Sequence, residues 1–165
     1  MSQYIHFFIR STDKLLPIRT ASRSSSIYQF FCDYAPYEKV RALSMDMLQE
    51  IREEISKQLS KWTHQIEEDQ KDLQLVASFN NSVEDKIEAM KSAREALHER
   101  EEIVEEIKVA LAFTNFLMDI YNEVEDSNYY YKEEEKIDPT KYIYFGIECN
   151  IPSIAEVEEW EGSKK

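Results

Sequence analysis

The longest uninterrupted pattern in the sequence runs from residue 44 to residue 125 and reads SMDMLQEIREEISKQLSKWTHQIEEDQKDLQLVASFNNSVEDKIEAMKSAREALHEREEIVEEIKVALAFTNFLMDIYNEVE. It contains no glycine and no proline, the two residues that most disfavour the interior of a helix. Its apolar residues recur at spacings of three, four and seven, which place them on one face of a helix. Residues 78–82, SFNNS, break this pattern. The stretch therefore predicts two long helices joined by a short turn.

The second predicted helix carries the more regular pattern. An apolar residue recurs at every seventh position without a miss, at Val83, Met90, Leu97, Val104, Leu111 and Met118. A seven-residue repeat is typical of helices that pack as a coiled coil. In the first helix, Asp69 stands where the seam requires an apolar residue. We expect an antiparallel coiled-coil hairpin with a buried base and an exposed far half.

The segments on either side of the hairpin predict strands. Residues 4–10 and 142–149 are rich in aromatic and β-branched residues with the alternation of a strand. Residues 15–20 can return beside the first strand, and Pro17 indicates an edge position for them. A short helix over residues 27–34 should cover the sheet. The predicted fold class is α+β: a small three-stranded antiparallel sheet, a short covering helix and a long coiled-coil hairpin inserted between the second and third strands.

This arrangement corresponds to a single domain over residues 1–165. Residues 1–43 and 139–165 form its α/β base, residues 44–125 form the projecting hairpin, and residues 126–138 form a connecting loop. A short helix after Pro152 carries Ile154, Val157 and Trp160 on one side. That helix either docks on the sheet or binds a partner.

The chain is strongly acidic, with 33 Asp and Glu against 20 Lys and Arg and a formal net charge of −13. Most of the negative charge falls in the hairpin, whereas residues 1–43 carry more basic than acidic residues. An acidic surface repels nucleic-acid phosphates and anionic lipids and attracts basic proteins. We therefore expect a protein partner with a basic surface, and neither direct nucleic-acid binding nor membrane binding.

Several absences narrow the class of protein. With only two glycines, the chain is a poor candidate for a glycine-rich phosphate-binding loop. Its most apolar stretch, residues 109–121, is shorter than a membrane span, and no secretory leader is visible. The two cysteines, Cys32 and Cys149, form neither a Cys-x-x-Cys pair nor a disulfide framework. We expect a cytoplasmic protein with two free thiols.

Glutamates in the middle of the second helix are the first candidates for partner binding, and they are Glu99, Glu101, Glu102, Glu105 and Glu106. One interpretation is a solvated helix face, because long exposed helices are commonly rich in glutamate. The other is an acidic surface that engages a basic groove of another protein. Further candidates, at the tip of the predicted hairpin, are Phe79, Asn80 and Asn81.

One spacing suggests metal chemistry. Glu95 and His98 have the Glu-x-x-His spacing with which helical bundles bind two metal ions. If the chain folds back at residues 78–82, His64 and Glu67 lie opposite this pair. However, Glu95 and His64 are each two residues from the apolar seam, which turns their side chains about 200° away from it. We therefore expect no metal and no other cofactor.

These observations favour a binding protein over an enzyme. The first hypothesis is a non-enzymatic, acidic protein–protein interaction module, in one form an inhibitor of the phage or mobile-element type that occupies the basic, nucleic-acid-handling surface of its target. The alternative is a structural or assembly subunit that self-associates into a homo-oligomer through the hairpin. A third hypothesis is a metal-dependent helical-bundle enzyme that uses His64, Glu67, Glu95 and His98.

Overall fold

A computed structural model of the protein describes residues 3–11, 14–78, 82–126 and 142–162. The first elements along the chain are β1 (Tyr4–Arg10), β2 (Leu15–Ser22), the short helix α1 (Ser26–Phe31) and β3 (Arg41–Ala42). Two long helices follow, α2 (Met45–Ser78) and α3 (Val83–Asp126). The last elements are β4 (Ile143–Ile147) and α4 (Ile154–Gly162). The fold is α+β, as the sequence predicts.

Among the described residues, the sheet has four antiparallel strands in the order β2-β1-β4-β3, so the prediction of three strands is wrong. The missed strand is β3, in which Arg41 pairs with Phe145 and Ala42 with Tyr144. Two residues cannot show the alternation by which a strand is recognised in a sequence. Strand β3 is therefore recognised only from its pairing with β4 in the structure. The hairpin is consequently inserted between the third and fourth strands.

Strand β1 pairs with β2 on one side and with β4 on the other. Pro17 lies in β2, an edge strand, where a missing N–H does not interrupt the interior of the sheet. This confirms the position predicted for Pro17. Strand β4 is buried along its whole length, because elements pack on both faces of the sheet and strands lie on both its sides.

Side chains alternate between two cores on the two faces of the sheet. On one face, Phe7 and Phe145 pack in the main core with residues of α1, α2 and α3. On the other face, Phe8 and Tyr144 pack with Val157 of α4. The C-terminal helix therefore docks on the sheet, which decides between the two roles that the sequence leaves open for it.

Helices α2 and α3 pack against each other as an antiparallel hairpin. Trp62 shares a groove with Ile103 and Glu106, and Asp69, further along α2, pairs with Arg100. As the residue number rises along α2, it therefore falls along α3. At about 1.5 Å per residue, the 34 residues of α2 span about 50 Å.

The base of this hairpin is buried and its far half is exposed, as predicted. Leu48, Ile51 and Ile55 of α2 are at most 1% exposed. Near the far end, Leu75 is 57% exposed and Val83 is 72% exposed. The difference arises because the sheet and α1 pack only against the base, where they complete the main core.

No helix in the described ranges is both long and apolar enough to cross a membrane. Both cysteines are free. Cys149 is buried, and burial raises the pKa of its thiol to about 11. Cys32 is half-buried, and burial raises the pKa of its thiol as well.

Candidate protein-binding groove

The five candidate glutamates lie on α3 with exposed side chains, but they do not form one surface. Glu106 lines a groove that faces α1, whereas Glu101 and Glu105 line a smaller hollow on the other side of the seam between α2 and α3. Residues seven apart share a helix face, so Glu99 lies on the same side as Glu106. The acidic run is therefore divided between two faces. The tip candidates lie outside the described residues, and they are Phe79, Asn80 and Asn81.

The larger groove has a volume of about 880 Å³ and lies between α1, the first part of α2 and the middle of α3. We call it the acidic groove. Its floor is apolar: Ile51 and Ile107 are buried, and Phe30, Trp62 and Ile103 are half-buried against the main core. Apolar side chains that stay partly open to water are suited to contact a partner, because covering them releases hydration water.

Helix α1 forms one wall of the acidic groove, and local chemistry sets its position. The hydroxyl of Ser25 caps the helix by accepting a hydrogen bond from the backbone N–H of Tyr28 at 3.2 Å. On the buried side of α1, Phe31 packs edge-on against Phe7 with ring centroids 5.2 Å apart. The helix is thereby fixed on the sheet, with Phe30 turned to the groove.

The rim of the acidic groove is negatively charged. Of the described residues that line it, Lys57 is the single basic one, and the acidic ones are Asp33, Glu50, Glu53, Glu54 and Glu106. Charges of one sign that line a concave surface focus the electric field and raise the local concentration of oppositely charged groups. The acidic groove therefore combines an apolar floor with concentrated negative charge.

Two side-chain hydrogen bonds orient carboxylates of the rim. Tyr34 Oη donates to Glu50 Oε2 at 3.1 Å, and Gln58 Nε2 donates to Glu54 Oε1 at 3.1 Å. Burial raises the pKa of Tyr34, and the Glu50 carboxylate raises it further. Tyr34 therefore remains a protonated donor at neutral pH. Glu50 and Glu54 are one helical turn apart, so their carboxylates reach the same groove.

Trp62 gives the floor an aromatic face that already binds a cation. The ammonium nitrogen of Lys61 lies 5.6 Å from the centroid of the Trp62 ring, which is a cation–π distance. The same indole lines the acidic groove. Carboxylates and an aromatic ring therefore line the same groove.

A largely buried ion pair lies in the seam between α2 and α3. Arg100 Nη1 donates to Asp69 Oδ1, and Gln65 Nε2 donates to the same oxygen at 3.3 Å. The Asp69 side chain is 11% exposed and the Arg100 side chain 31% exposed. The sequence shows that a charged residue, Asp69, interrupts the seam, but it does not predict that Arg100 is its partner. The signal that identifies Arg100 is its position three residues after Leu97, which places it in the same seam.

The four metal candidates do not come together. His64 pairs with Glu68 at 3.3 Å and lies 4.0 Å from Glu67, within one helix. His98 pairs with Glu102 of its own helix at 3.0 Å. In the part of the chain that the structure describes, no three His, Cys, Asp or Glu side chains form a group that could hold a metal ion.

The register of the hairpin explains this separation. Counting back from the turn at residues 78–82 places His64 opposite His98, but Arg100 lies opposite Asp69. His98 therefore lies level with the part of α2 near and beyond Asp69, whereas His64 lies nearer the base. The ion pair and the packing of the seam set this register, and neither can be located by counting residues from the turn.

The acidic groove itself was missed in the sequence, because its walls come from three segments that are far apart along the chain. Asp33 lies two residues after the end of α1, Glu50 and Glu54 belong to α2, and Glu106 belongs to α3. The available signal is weak: Glu50 and Glu54 have the spacing of one helix turn, and Trp62 follows two turns later on the same helix.

A scan against protein-family models and searches of curated proteins and of solved structures found no match to this chain.

Proposed function

We propose that this chain is a non-enzymatic, acidic protein–protein interaction module whose acidic groove binds a basic segment of another protein. The observation that carries the proposal is the composition of the groove: among the described residues that line it, five carboxylates and a single lysine border an apolar, aromatic floor. Since both cysteines are free, the proposed site of action is the cytoplasm.

Both the apolar floor and the acidic rim of the groove would contribute to binding. Apolar side chains of the partner would lose contact with water against Ile51 and Trp62, which supplies affinity. Lysines and arginines of the partner would pair with carboxylates such as Glu50 and Glu54, which supplies specificity and fast association. An amphipathic helix with one apolar and one basic face satisfies both requirements.

The proposed mode of action is competition with nucleic acid. Proteins that handle nucleic acid contact its phosphates with lysine and arginine side chains. The carboxylates of the acidic groove, with Glu99 on the same side of α3, offer those side chains another anionic partner. In this proposal the chain is an inhibitor of the phage or mobile-element type that occupies such a basic surface.

Binding of a synthetic peptide tests the acidic groove directly. The probe is an amphipathic helical peptide with leucines on one face and lysines on the other, and a matched peptide carries glutamate at every lysine position. A Trp160→Phe variant leaves Trp62 as the only tryptophan and thus as the fluorescent reporter. We expect the lysine peptide to shift the emission of Trp62 and to bind at least about tenfold more weakly at 0.5 M than at 0.05 M salt.

A pair of charge-reversed variants provides the control. Glu50→Lys, Glu54→Lys and Glu106→Lys together reverse the rim, and we expect at least about a tenfold loss of affinity. A control with the same change in net charge carries exposed substitutions outside the groove, Asp72→Lys, Glu88→Lys and Asp119→Lys. It should bind within about threefold of the parent. Equal losses in both variants, or no binding of the lysine peptide to the parent, would contradict the proposal.

Self-association is the second candidate function. The coiled-coil seam proposed for α2 and α3 holds the hairpin together, but α3 also exposes large apolar side chains on its outside, among them Val83 and Ile87. Contiguous exposed apolar side chains mark interaction surfaces. They favour a structural or assembly subunit in which the hairpins of two copies pack together.

A further inference from the structure

The outer face of α3 carries a stripe of residues that shares Val83 and Met90 with the predicted seven-residue repeat. The repeat drifts by about 20° in every seven residues on a straight helix, so these two positions turn away from α2, and Val83 is 72% exposed. From Val83 to Phe116 the spacing of four, three and four residues repeats every eleven residues. Eleven residues in three turns correspond to about 3.67 residues per turn, so positions with this spacing stay on one face of the helix. At 1.5 Å per residue this outer stripe spans about 50 Å.

Both ends of the outer stripe are apolar and exposed. At the first end, Val83 is 72% exposed and Ile87 is 61% exposed. At the other end, Val109 is 50% exposed and Phe116 is 51% exposed. Within the described ranges, these are the large hydrophobic side chains that α3 exposes, and all of them fall on the stripe.

The centre of the outer stripe is polar, and the residue types on the two sides of its midpoint differ. Arg94 and His98 precede the midpoint of the stripe, whereas Glu101 and Glu105 follow it. All four side chains are exposed. The stripe therefore presents an arginine and a histidine on one side of its midpoint and two carboxylates at equal distances on the other side.

A second copy of the chain is complementary to this pattern when the two α3 helices run antiparallel. A two-fold axis through the midpoint brings Arg94 opposite Glu105 and His98 opposite Glu101, each twice. A parallel arrangement would instead place each Arg94 and each Glu105 against its own copy, which is repulsive. In the antiparallel arrangement the apolar positions also meet, as Val83 with Phe116, Ile87 with Ala112 and Met90 with Val109.

The surface already has a hollow at the position where the second copy would insert. An open groove of about 600 Å³ on α3 is lined by Ile87 and Met90 together with the polar residues Lys91, Arg94, Glu95 and His98. In the antiparallel pairing, Val109 and Ala112 of the second copy face this hollow. The apolar contacts would thus flank the charged centre on both sides of the axis.

We infer that the chain forms an antiparallel homodimer through the outer stripe of α3. This inference deepens the second candidate function and does not rest on the acidic groove, because Glu106 and the groove lie on another face of α3. The dimer therefore leaves two acidic grooves open.

Sedimentation equilibrium of the full chain tests the inference. The parent should dimerise, and Arg94→Glu should raise the dimer dissociation constant at least about tenfold, because it places two like-charged pairs across the axis. Glu105→Arg should have the same effect for the same reason. The control reversal, Arg52→Glu, changes an exposed residue of α2 outside the stripe and should leave dimerisation unchanged.

Mixing the two single variants then tests whether Arg94 of one chain lies opposite Glu105 of the other. In a mixed dimer the two substituted positions face each other with opposite charges, and the unchanged Arg94 of one chain faces the unchanged Glu105 of the other. An equimolar mixture of Arg94→Glu and Glu105→Arg chains should therefore dimerise about as tightly as the parent. The double variant should also dimerise with itself. Circular dichroism would verify that each variant keeps the helical content of the parent.

Three results would overturn the inference. They are a parent that stays monomeric up to about 0.5 mM, single reversals that have no effect, and a mixture that fails to recover the affinity that each single variant lost. The peptide-binding result is independent of all three, because the peptide binds at the acidic groove. Failure of one proposal is therefore distinguishable from failure of the other.

Discussion

Gly146 illustrates how a single residue controls the packing of the sheet. It lies in β4 between β1 and β3, and a Cβ atom at this position would overlap the carbonyl oxygen of Lys39. The neighbour is backbone rather than the end of a flexible side chain, so it cannot simply move aside. The requirement here is space, since Gly146 does not have a positive φ angle.

Gly146→Ala should therefore destabilise the protein by about 3 kcal/mol, because overpacking forces the backbone of one segment to shift. Chemical denaturation monitored by circular dichroism would measure the loss. The matched control is Gly162→Ala, because a methyl group added there would have no atom within 4 Å. The control should be close to neutral. A loss below about 1 kcal/mol for Gly146→Ala would show that the chain around Lys39 adapts easily.

The Asp69–Arg100 pair is the second single-residue feature with a testable cost. Removing Arg100 leaves a carboxylate that is 11% exposed without its counter-ion. Arg100→Ala should therefore destabilise the hairpin by about 2 to 3 kcal/mol. The control is Lys108→Ala, which breaks the exposed pair with Glu105 and should cost less than about 1 kcal/mol. Equal effects in urea denaturation would contradict a structural role for the buried pair.

At the scale of elements, the two ends of the hairpin differ in what covers them. The seven-residue repeat predicts the seam of α3 but not how deeply each position is buried. Leu111 is a member of the repeat and is only half-buried, whereas Leu117 lies outside the repeat and is fully buried. The reason is that the sheet and α1 bury a second side of α3 at its base.

Substitutions at the buried base of the hairpin should lower the free energy of unfolding more than substitutions at its exposed far end. Leu117→Ala should cost about 2 to 5 kcal/mol, because it opens a cavity in the main core. The same substitution at Leu75, which is 57% exposed, should cost less than about 1 kcal/mol. Thermal and urea denaturation of both variants would measure the two losses. Similar losses at the two positions would mean that the far half of the hairpin contributes as much as its base.

At the scale of the whole molecule, the sheet joins the two ends of the chain. Strand β4 comes after both long helices and yet lies between β1 and β3. Strand β3 pairs with β4 alone, so its place in the sheet depends on a segment about one hundred residues later in the chain. Strand β4 also contributes Ile143 and Phe145 to the main core that covers the base of the hairpin.

A chain that ends at Asp138 should therefore fail to fold cooperatively. Without β4 only the β1–β2 ribbon is left, and isolated two-stranded ribbons are marginally stable in water. Calorimetry or thermal circular dichroism would show a lost or strongly lowered transition. The control chain ends at Gly162 and keeps every described element, so it should melt like the full chain. A cooperative transition of the shorter chain at the full-length temperature would contradict the closure.

The molecule presents two surfaces that the sequence pattern alone does not separate. The acidic groove opens between α1, α2 and α3, and the outer stripe runs along another face of α3. Glu106 belongs to the first surface and Glu105, its neighbour in sequence, to the second, because adjacent helix positions differ by about 100°. A run of glutamates therefore serves two proposed contacts.

Local features of the sequence specified most of the secondary structure. The lack of glycine and proline between residues 44 and 125 specified two long helices, and the run of serines before Ile27 predicted the start of α1. Pro17 indicated an edge strand. These features depend on neighbouring residues or on the period of one element, so a single stretch of sequence is enough to reveal them.

Tertiary packing set the features that need contact between distant segments. Three features join parts of the chain that are far apart in sequence. They are the pairing of the two-residue strand β3 with β4, the pairing of Asp69 with Arg100, and the acidic groove, which Asp33 and Glu54 both line. Their positions follow from how deeply each helix packs on the sheet and in which register. Periodicity specifies which face of a helix is buried, but packing specifies what that face meets.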